Sequence, residues 1–323
     1  MKKNIALLKM ILENIKEAEL DTPIGKVDTD IFKGKLSAVD PAKAKAAVKA
    51  GKKDGSEKDD KAIASKITKN FSVAASSLKP GQTEVIPEKA AAIAIGMLNS
   101  GKVGGPLGAI ISGDMHIMDG HHRWAATVLV NPGASVSGLK IDVPGEALVG
   151  ILNVYTKGAL GRQKGNPGKG NVKEFTKDKI AAVLDGYMKN GCKIGVVDDK
   201  GGYSEKDIDG EEVKKILGKM KGANGDANKG KDLMSSNADK LNKQIPSWAP
   251  PRVDMPVINS DELNTLVKKL ESGEFDIVAP YSKDVKNAKA PEGGEEEKTD
   301  VKEFRQSLQE VLRMKKLAGI NKK

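Results

Sequence analysis

The chain reads as an α+β protein, and three observations carry that reading. Short apolar runs of strand length alternate with helix-period segments between residues 71 and 157. Inside that stretch two apolar runs, 107–111 and 115–118, flank the turn pair Gly113-Asp114, the pattern of a hairpin. Beyond residue 176 helical spacing dominates.

The elements follow in order. Ile5, Leu8, Ile11, Leu12, Ile15 and Leu20 recur at helical spacing, which predicts an amphipathic helix and not a signal peptide; no transmembrane segment is read anywhere. A Lys/Ala helix is expected over 41–50, and the charge-dense stretch 51–60 reads as solvated. A strand over 72–78 and a turn at 79–85 lead to a helix over 87–98, opened by Pro87, whose missing N–H costs nothing in a first turn. After the Gly-rich loop 99–106 and the hairpin, Asp119-Gly120 opens an Ala-rich helix over 121–130. A strand over 138–143 and an apolar helix over 146–155 complete this unit. The Gly/Lys/Asn-rich run 158–173 reads as a boundary or a phosphate-touching loop. Helices are then expected over 177–189, 211–220, 232–243 and 261–271. The run from Trp248 to Ile258 is too proline-rich for an interior strand. A Lys/Glu/Gly linker over 282–299 precedes a last amphipathic helix carrying Val301, Phe304, Leu308, Val311 and Leu312. The resulting division is 1–70 helical and partly flexible, 71–157 a compact unit, 158–175 a linker, 176–281 mainly helical, and 282–323 linker plus helix.

Bulk composition narrows the function classes. A net charge of +10 favours polyanionic partners, nucleic acid before free nucleotides. Aromatics make up only 3%, which argues against a base-stacking single-strand binder and leaves a phosphate-backbone binder open. The one cysteine, Cys192, excludes an internal disulfide framework and a multi-cysteine zinc site, and fits a reducing cytoplasm.

All three histidines lie within the stretch His116 to His122, so imidazole chemistry is confined there. A helix's first turn offers unpaired N–H groups and positive dipole charge, and here His121, His122 and Arg123 are added to it. The candidate phosphate-binding residues are therefore Gly120, His121, His122 and Arg123. Gly120 admits close backbone approach and positive φ, and Arg123 supplies a permanently charged donor fork. The candidate catalytic residues are Glu84, Asp119, His121 and His122. One histidine would donate to developing charge and the other act as base or complete the cradle. Asp119 would orient a histidine or hold Mg2+ through water, and Glu84 would activate a hydroxyl or hold the metal.

Plainer readings stand beside these. His116 alternates with its neighbours on a strand and fits a structural or rim residue. The paired histidines would equally cap and fill a turn, Asp119 would serve as a turn residue, and Glu84 would sit in an exposed loop. Trp124 is expected in the core. A metal site from His116, Asp119, His121 and His122 is disfavoured because adjacent histidines splay apart on a helix. Lysine-rich runs also serve as solvated faces.

The order strand, Leu-Lys-Pro-Gly-Gln-Thr-Glu, helix, hairpin, Asp-Gly-His-His-Arg, helix resembles the ParB/sulfiredoxin superfamily, in particular the ParB-like nuclease-domain proteins of bacteriophages. The resemblance covers residues 71–155. It implies a small mixed β-sheet with packed helices and a phosphate-binding helix N-terminus. Sulfiredoxin chemistry is not implied, because His121 stands where its cysteine would be. The partitioning proteins' Gly-Glu-Arg-Arg is matched only at Gly120 and Arg123, which leaves CTP selectivity unsupported. The free serine kinase type, with Asp-Gly-His-His-Arg and an upstream glutamate matched here by Glu84, is the nearest motif. An active protein would be a metal-dependent phosphoesterase, nuclease or nucleotidase, or an amino-acid phosphotransferase, using Mg2+ and a nucleoside phosphate.

Three functions follow as expectations. The first is a phosphate-handling domain for a nucleotide or nucleic acid, in the host cytoplasm if phage-encoded. The second is a non-catalytic DNA-associated protein using the same pocket as a ligand switch. The third is a virion-associated interaction protein whose terminal amphipathic helices dock partners or further copies of the chain.

Overall fold

The structure, a computed structural model, describes residues 35–50, 66–165, 168–197, 203–272 and 274–275. The expected helices near residues 5–20 and 301–312, the stretch 51–60 and the linker 282–299 lie outside them.

The fold is mixed α+β around a five-stranded sheet of order β1-β5-β3-β4-β2. Its strands are β1 (Ile67–Ala74), β2 (Lys79–Pro80), β3 (Gly105–Ser112), β4 (His116–Asp119) and β5 (Ser135–Ile141). β1 runs antiparallel to β5, β5 parallel to β3, β3 antiparallel to β4, and β4 parallel to β2. Helices cover both faces: α1 (Pro41–Ala50), α2 (Pro87–Ser100), α3 (His121–Val130), α4 (Gly145–Gly158), α5 (Lys177–Asn190), α6 (Gly210–Leu217), α7 (Ala227–Asn237) and α8 (Ser260–Glu271).

The pleat sorts neighbouring side chains into two cores. Ala109, Ile111 and Ile117 face one core, built with α2, α3, α5, α6 and α7. Ile110, Met118, Leu139 and Ile141 face the other, with α1, α4 and α8. α3 anchors the first. Its Trp124 is fully buried and donates from Nε1 to the Ala75 carbonyl at 2.8 Å, as the core reading requires. Trp124, Val128 and Leu129 are all removed from water, worth about 1.5–3 kcal/mol apiece.

Several boundaries move. The first strand starts at Ile67 and ends at Ala74, because residues 75–77 turn into a short 3-10 helix. The helix expected over 232–243 lies at Ala227–Asn237, where Asp226 accepts from the Asn228 and Lys229 N–H groups as N-cap. The region 176–281 also contains a hairpin not expected there: β6 (Cys192–Val197) pairs antiparallel with β7 (Tyr203–Ile208). β6 packs on α2 through glycine, since a Cβ on Gly96 would meet the Gly195 carbonyl at 2.5 Å. No described helix is long and apolar enough to cross a membrane.

Candidate functional site

The site begins where β4 ends. Gly120 adopts φ 89°, ψ 17°, a left-handed turn that glycine adopts without steric cost, and α3 starts at the next residue. No side chain caps this end. The first N–H in the helical ladder is that of Trp124, bonded to the Gly120 carbonyl at 2.9 Å. The N–H groups of His121, His122 and Arg123 therefore lie outside the ladder at the positive end of the dipole.

Both histidine rings turn inward, 4% and 9% exposed. His121 Nε2 accepts the Gly81 N–H at 3.2 Å, and His122 Nε2 accepts the Ile86 N–H at 3.1 Å. The rings thus staple both ends of the segment between β2 and α2 to the start of α3. Acceptance at Nε2 places the neutral imidazole proton on Nδ1. Burial, the neighbouring His122 and the Arg252 charge push His121 down to about 3. Burial with Lys89, Arg252 and Arg123 does the same to His122, also to about 3. Both are neutral at physiological pH. The expectation that these imidazoles donate to a phosphate or act as base changes accordingly: contact through Nε2 would cost a loop bond. In this geometry each Nε2 is held by the loop, while the backbone N–H groups of both residues lie outside the helical ladder.

Asp119 and Arg123 remain at the surface of the turn. Arg123 Nη2 lies 3.5 Å from Asp119 Oδ2, and the two side chains are 44% and 49% exposed. Asp119 is nevertheless raised above the ordinary carboxylate value. Crowding by protein disfavours its charge more than Arg123, the Gly120 N–H and Arg252 favour it. The Asp119 carboxyl thus combines solvent contact with desolvation by the surrounding protein.

Glu84 lies in the segment that the two imidazoles staple, and it is not a free loop residue. Its Oε2 accepts the Arg252 N–H at 3.0 Å. The Thr83 N–H donates to the Pro250 carbonyl at 3.2 Å, and the Val172 N–H to the Thr83 carbonyl at 3.1 Å. The Gly/Lys-rich loop is thus wedged against the segment that carries Glu84.

His116 belongs elsewhere, at the start of α4, and is a structural residue there. It is buried, edge-on to Trp248 with ring centroids 5.0 Å apart. Its Nδ1 lies 3.0 Å from Asp114 Oδ1, yet that nitrogen finds no well-aligned hydrogen bond. The close distance without alignment fits Asp114 Oδ1 already accepting from Ser112 Oγ at 2.5 Å and from the Gly145 N–H at 2.9 Å.

Among the described residues no group of three or more His, Cys, Asp or Glu side chains could hold a metal ion. The four-residue set His116, Asp119, His121 and His122 is not assembled, since His116 serves α4 and both other rings face the loop. Family models, curated proteins and solved structures all give no match to this chain. No relative is shown.

Two residues at this site escaped sequence reasoning. Arg252 lies in the proline-rich segment, and its charge bears on Asp119, His121 and His122. Lys89 projects from the first turn of α2 near His122. The only local hint was an arginine directly after the stiff pair Pro250-Pro251.

Proposed function

We propose that the start of α3 binds a phosphate group of a nucleotide or nucleic acid, in a unit of ParB/sulfiredoxin type spanning residues 71–157. One observation carries the reading: an uncapped, glycine-led helix start with the Arg123 fork at its mouth. Backbone N–H groups of His121 and His122 would hold the phosphate oxygens, with Arg123 supplying a charged, two-pronged contact. The mixed five-stranded sheet and the Asp-Gly-His-His-Arg turn support the family assignment.

Binding is favoured over turnover. Both imidazoles are neutral acceptors to the loop, and Glu84 Oε2 is bonded to the Arg252 N–H. Asp119 is the half-exposed carboxyl at this turn, so an acid–base step would fall to it. The donor set does not fit a resident metal ion. Magnesium would arrive with the phosphates and keep most of its water, and no step is derived through it. The second reading, a DNA-associated or virion-associated protein without catalysis, draws on the same neutral histidines and on the net charge of +10.

Calorimetric titration of ATP, ADP, CTP and a short DNA duplex, each with Mg2+, tests the proposal on wild type and Arg123→Ala. The expected result is binding of one phosphate-bearing ligand that weakens about tenfold or more in the variant. Duplex binding that Arg123→Ala leaves unchanged would move function to the basic surface and end the α3 reading.

A further inference from the structure

We infer that residues 35–50 form a latch on the stapled segment: docked on α4, they steady the strap at residues 250–254 that holds Thr83 and Glu84, and released, they loosen it. This latch is independent of the phosphate-binding reading, and its test needs no ligand.

One short 3-10 turn, Arg252–Asp254, joins the two ends of the device. Toward the stapled segment, the Arg252 backbone N–H donates to Glu84 Oε2 at 3.0 Å, and the Thr83 N–H donates to the Pro250 carbonyl at 3.2 Å. Toward the arm, Asp254 Oδ1 accepts the Ser37 N–H at 3.0 Å. Ser37 lies in a second 3-10 turn, Leu36–Ala38, and the Leu36 carbonyl accepts from the buried Lys157 ammonium of α4 at 2.8 Å. Further along the arm, α1 crosses the end of α4 so closely that a Cβ on Gly158 would come 2.5 Å from the Ala44 carbonyl. The Asn153 side chain donates to the Asp254 carbonyl at 3.0 Å, and the Gly165 N–H to the Val253 carbonyl at 2.8 Å. Those two ties do not involve the arm, so its release loosens the strap without detaching it.

The arm is built to open before the body does. α1 has ten residues, fewer than the roughly 12–15 that a helix needs to persist alone, so its order depends on docking. What docking buries is small: Leu36, Val39 and the methyl groups of Ala44 and Ala47. The core under α3 and α5 buries Trp124, Phe175 and Ile180 completely. Elements with few buried apolar contacts open locally at lower free energy than the core. The arm therefore has a docked and an open state, and the Ser37 bond to Asp254 exists only in the first. Whatever partner takes the apolar face of α1 thereby reaches Thr83 and Glu84 through one turn of chain.

Native-state hydrogen exchange on the full chain tests this with Gly158→Leu. A leucine there cannot share space with the Ala44 and Lys45 backbone, and it suits a helix better than glycine, so α4 itself is not weakened. The Ser37 and Ala44 amides should lose protection, and the Thr83 and Arg252 amides should exchange about tenfold faster. The Ile180 and Val213 amides, in helices of the other core, should keep wild-type rates. Unchanged rates at Thr83 and Arg252 beside a freed arm would sink the coupling. Equal acceleration at Ile180 and Val213 would merge the arm with global unfolding and overturn the latch. An arm still protected in Gly158→Leu would show that the α4 contact does not hold it, which overturns the latch too. The reverse perturbation is Glu84→Ala, which removes the acceptor of the Arg252 N–H and should speed exchange at Ser37. Glu84→Gln keeps an acceptor oxygen and should restore most of the wild-type rate. Coupling between two sites is reciprocal, so a Ser37 amide indifferent to Glu84→Ala would also remove the latch.

Discussion

Two helices, α3 and α4, leave the sheet at opposite ends of its strands, since β4 runs antiparallel and β5 parallel to β3, and their first residues meet opposite surroundings. At α4 the Gly145 N–H is taken by the Asp114 carboxylate, and the His116 and Trp248 rings close over the turn. At α3 the Gly120 turn carries no side-chain cap, and Asp119 and Arg123 stay about half exposed. Both starts recruit histidine, for opposite ends. His116 helps seal one helix, whereas His121 and His122 hold a loop beside the other, which carries no side-chain cap. A helix start thus becomes a binding candidate only when its neighbours decline to fill it.

Acid should separate the two ends most strongly. Folding lowers both His121 and His122 from 6.5 to about 3, so in that window the unfolded chain binds protons that the folded chain refuses. Their contribution to stability is complete above pH 6.5 and shrinks as pH falls, by about 1.4 kcal/mol per unit for each ring. Asp114 behaves differently: burial opposes its charge, but hydrogen bonds from Ser112 and the Gly145 N–H, with the His116 ring close by, hold it below its ordinary value of 3.8. The α4 cap should consequently persist until the pH drops below that carboxylate range. Native-state hydrogen exchange at pH 5.5, corrected for intrinsic rates, should show the Gly81 and Ile86 amides losing protection before Gly145. Equal loss at all three would mean that the rings do not hold the loop. A His121→Gln/His122→Gln double variant should flatten the dependence of melting temperature on pH.

Glycine substitutions probe the same contrast through space and backbone. Gly145→Ala places a methyl 2.6 Å from the Trp248 ring and should cost about 1–3 kcal/mol in chemical denaturation. Gly120→Ala meets nothing closer than 3.6 Å, so its cost is that of positive φ alone, about 1–2 kcal/mol. Gly120→Asn should recover part of it, because asparagine tolerates that conformation; equal losses for Ala and Asn would reject the backbone explanation.

Removing the carboxylate at α4 is milder. Asp114→Ala leaves the Gly145 N–H without its cap and should cost about 0.5–2 kcal/mol by thermal melting. Arg123→Ala should move stability least, within about 0.5 kcal/mol, since its contact with Asp119 is long and solvated. A larger loss would recast Arg123 as a structural residue and weaken its claim on a ligand.

Legibility in the sequence tracked local signals. Pro87 and the Gly101 turn bracket α2, and Gly120 marks the start of α3, so those helices were readable. The β6–β7 hairpin was not. Glycine interrupts its first strand at Gly195, and Ser204-Glu205-Lys206-Asp207 gives the second no apolar alternation. For the site, the spacing of Asp119 to Arg123 located the turn, but no pattern reveals which way an imidazole faces. His121 and His122 point inward because Gly81 and Ile86 present N–H groups there, and β2 is too short to announce itself. Arg252 is 168 residues from its partner Glu84, beyond any local period.

That separation has a consequence for synthesis. The Glu84 carboxylate and the Thr83 N–H gain their partners only after Pro250 and Arg252 have left the ribosome. At about 5–20 residues per second the delay is roughly 10–30 s, long against the folding of a helix or hairpin. The segment that carries Thr83 and Glu84 therefore waits on the nascent chain without these partners until residues 250–252 have emerged.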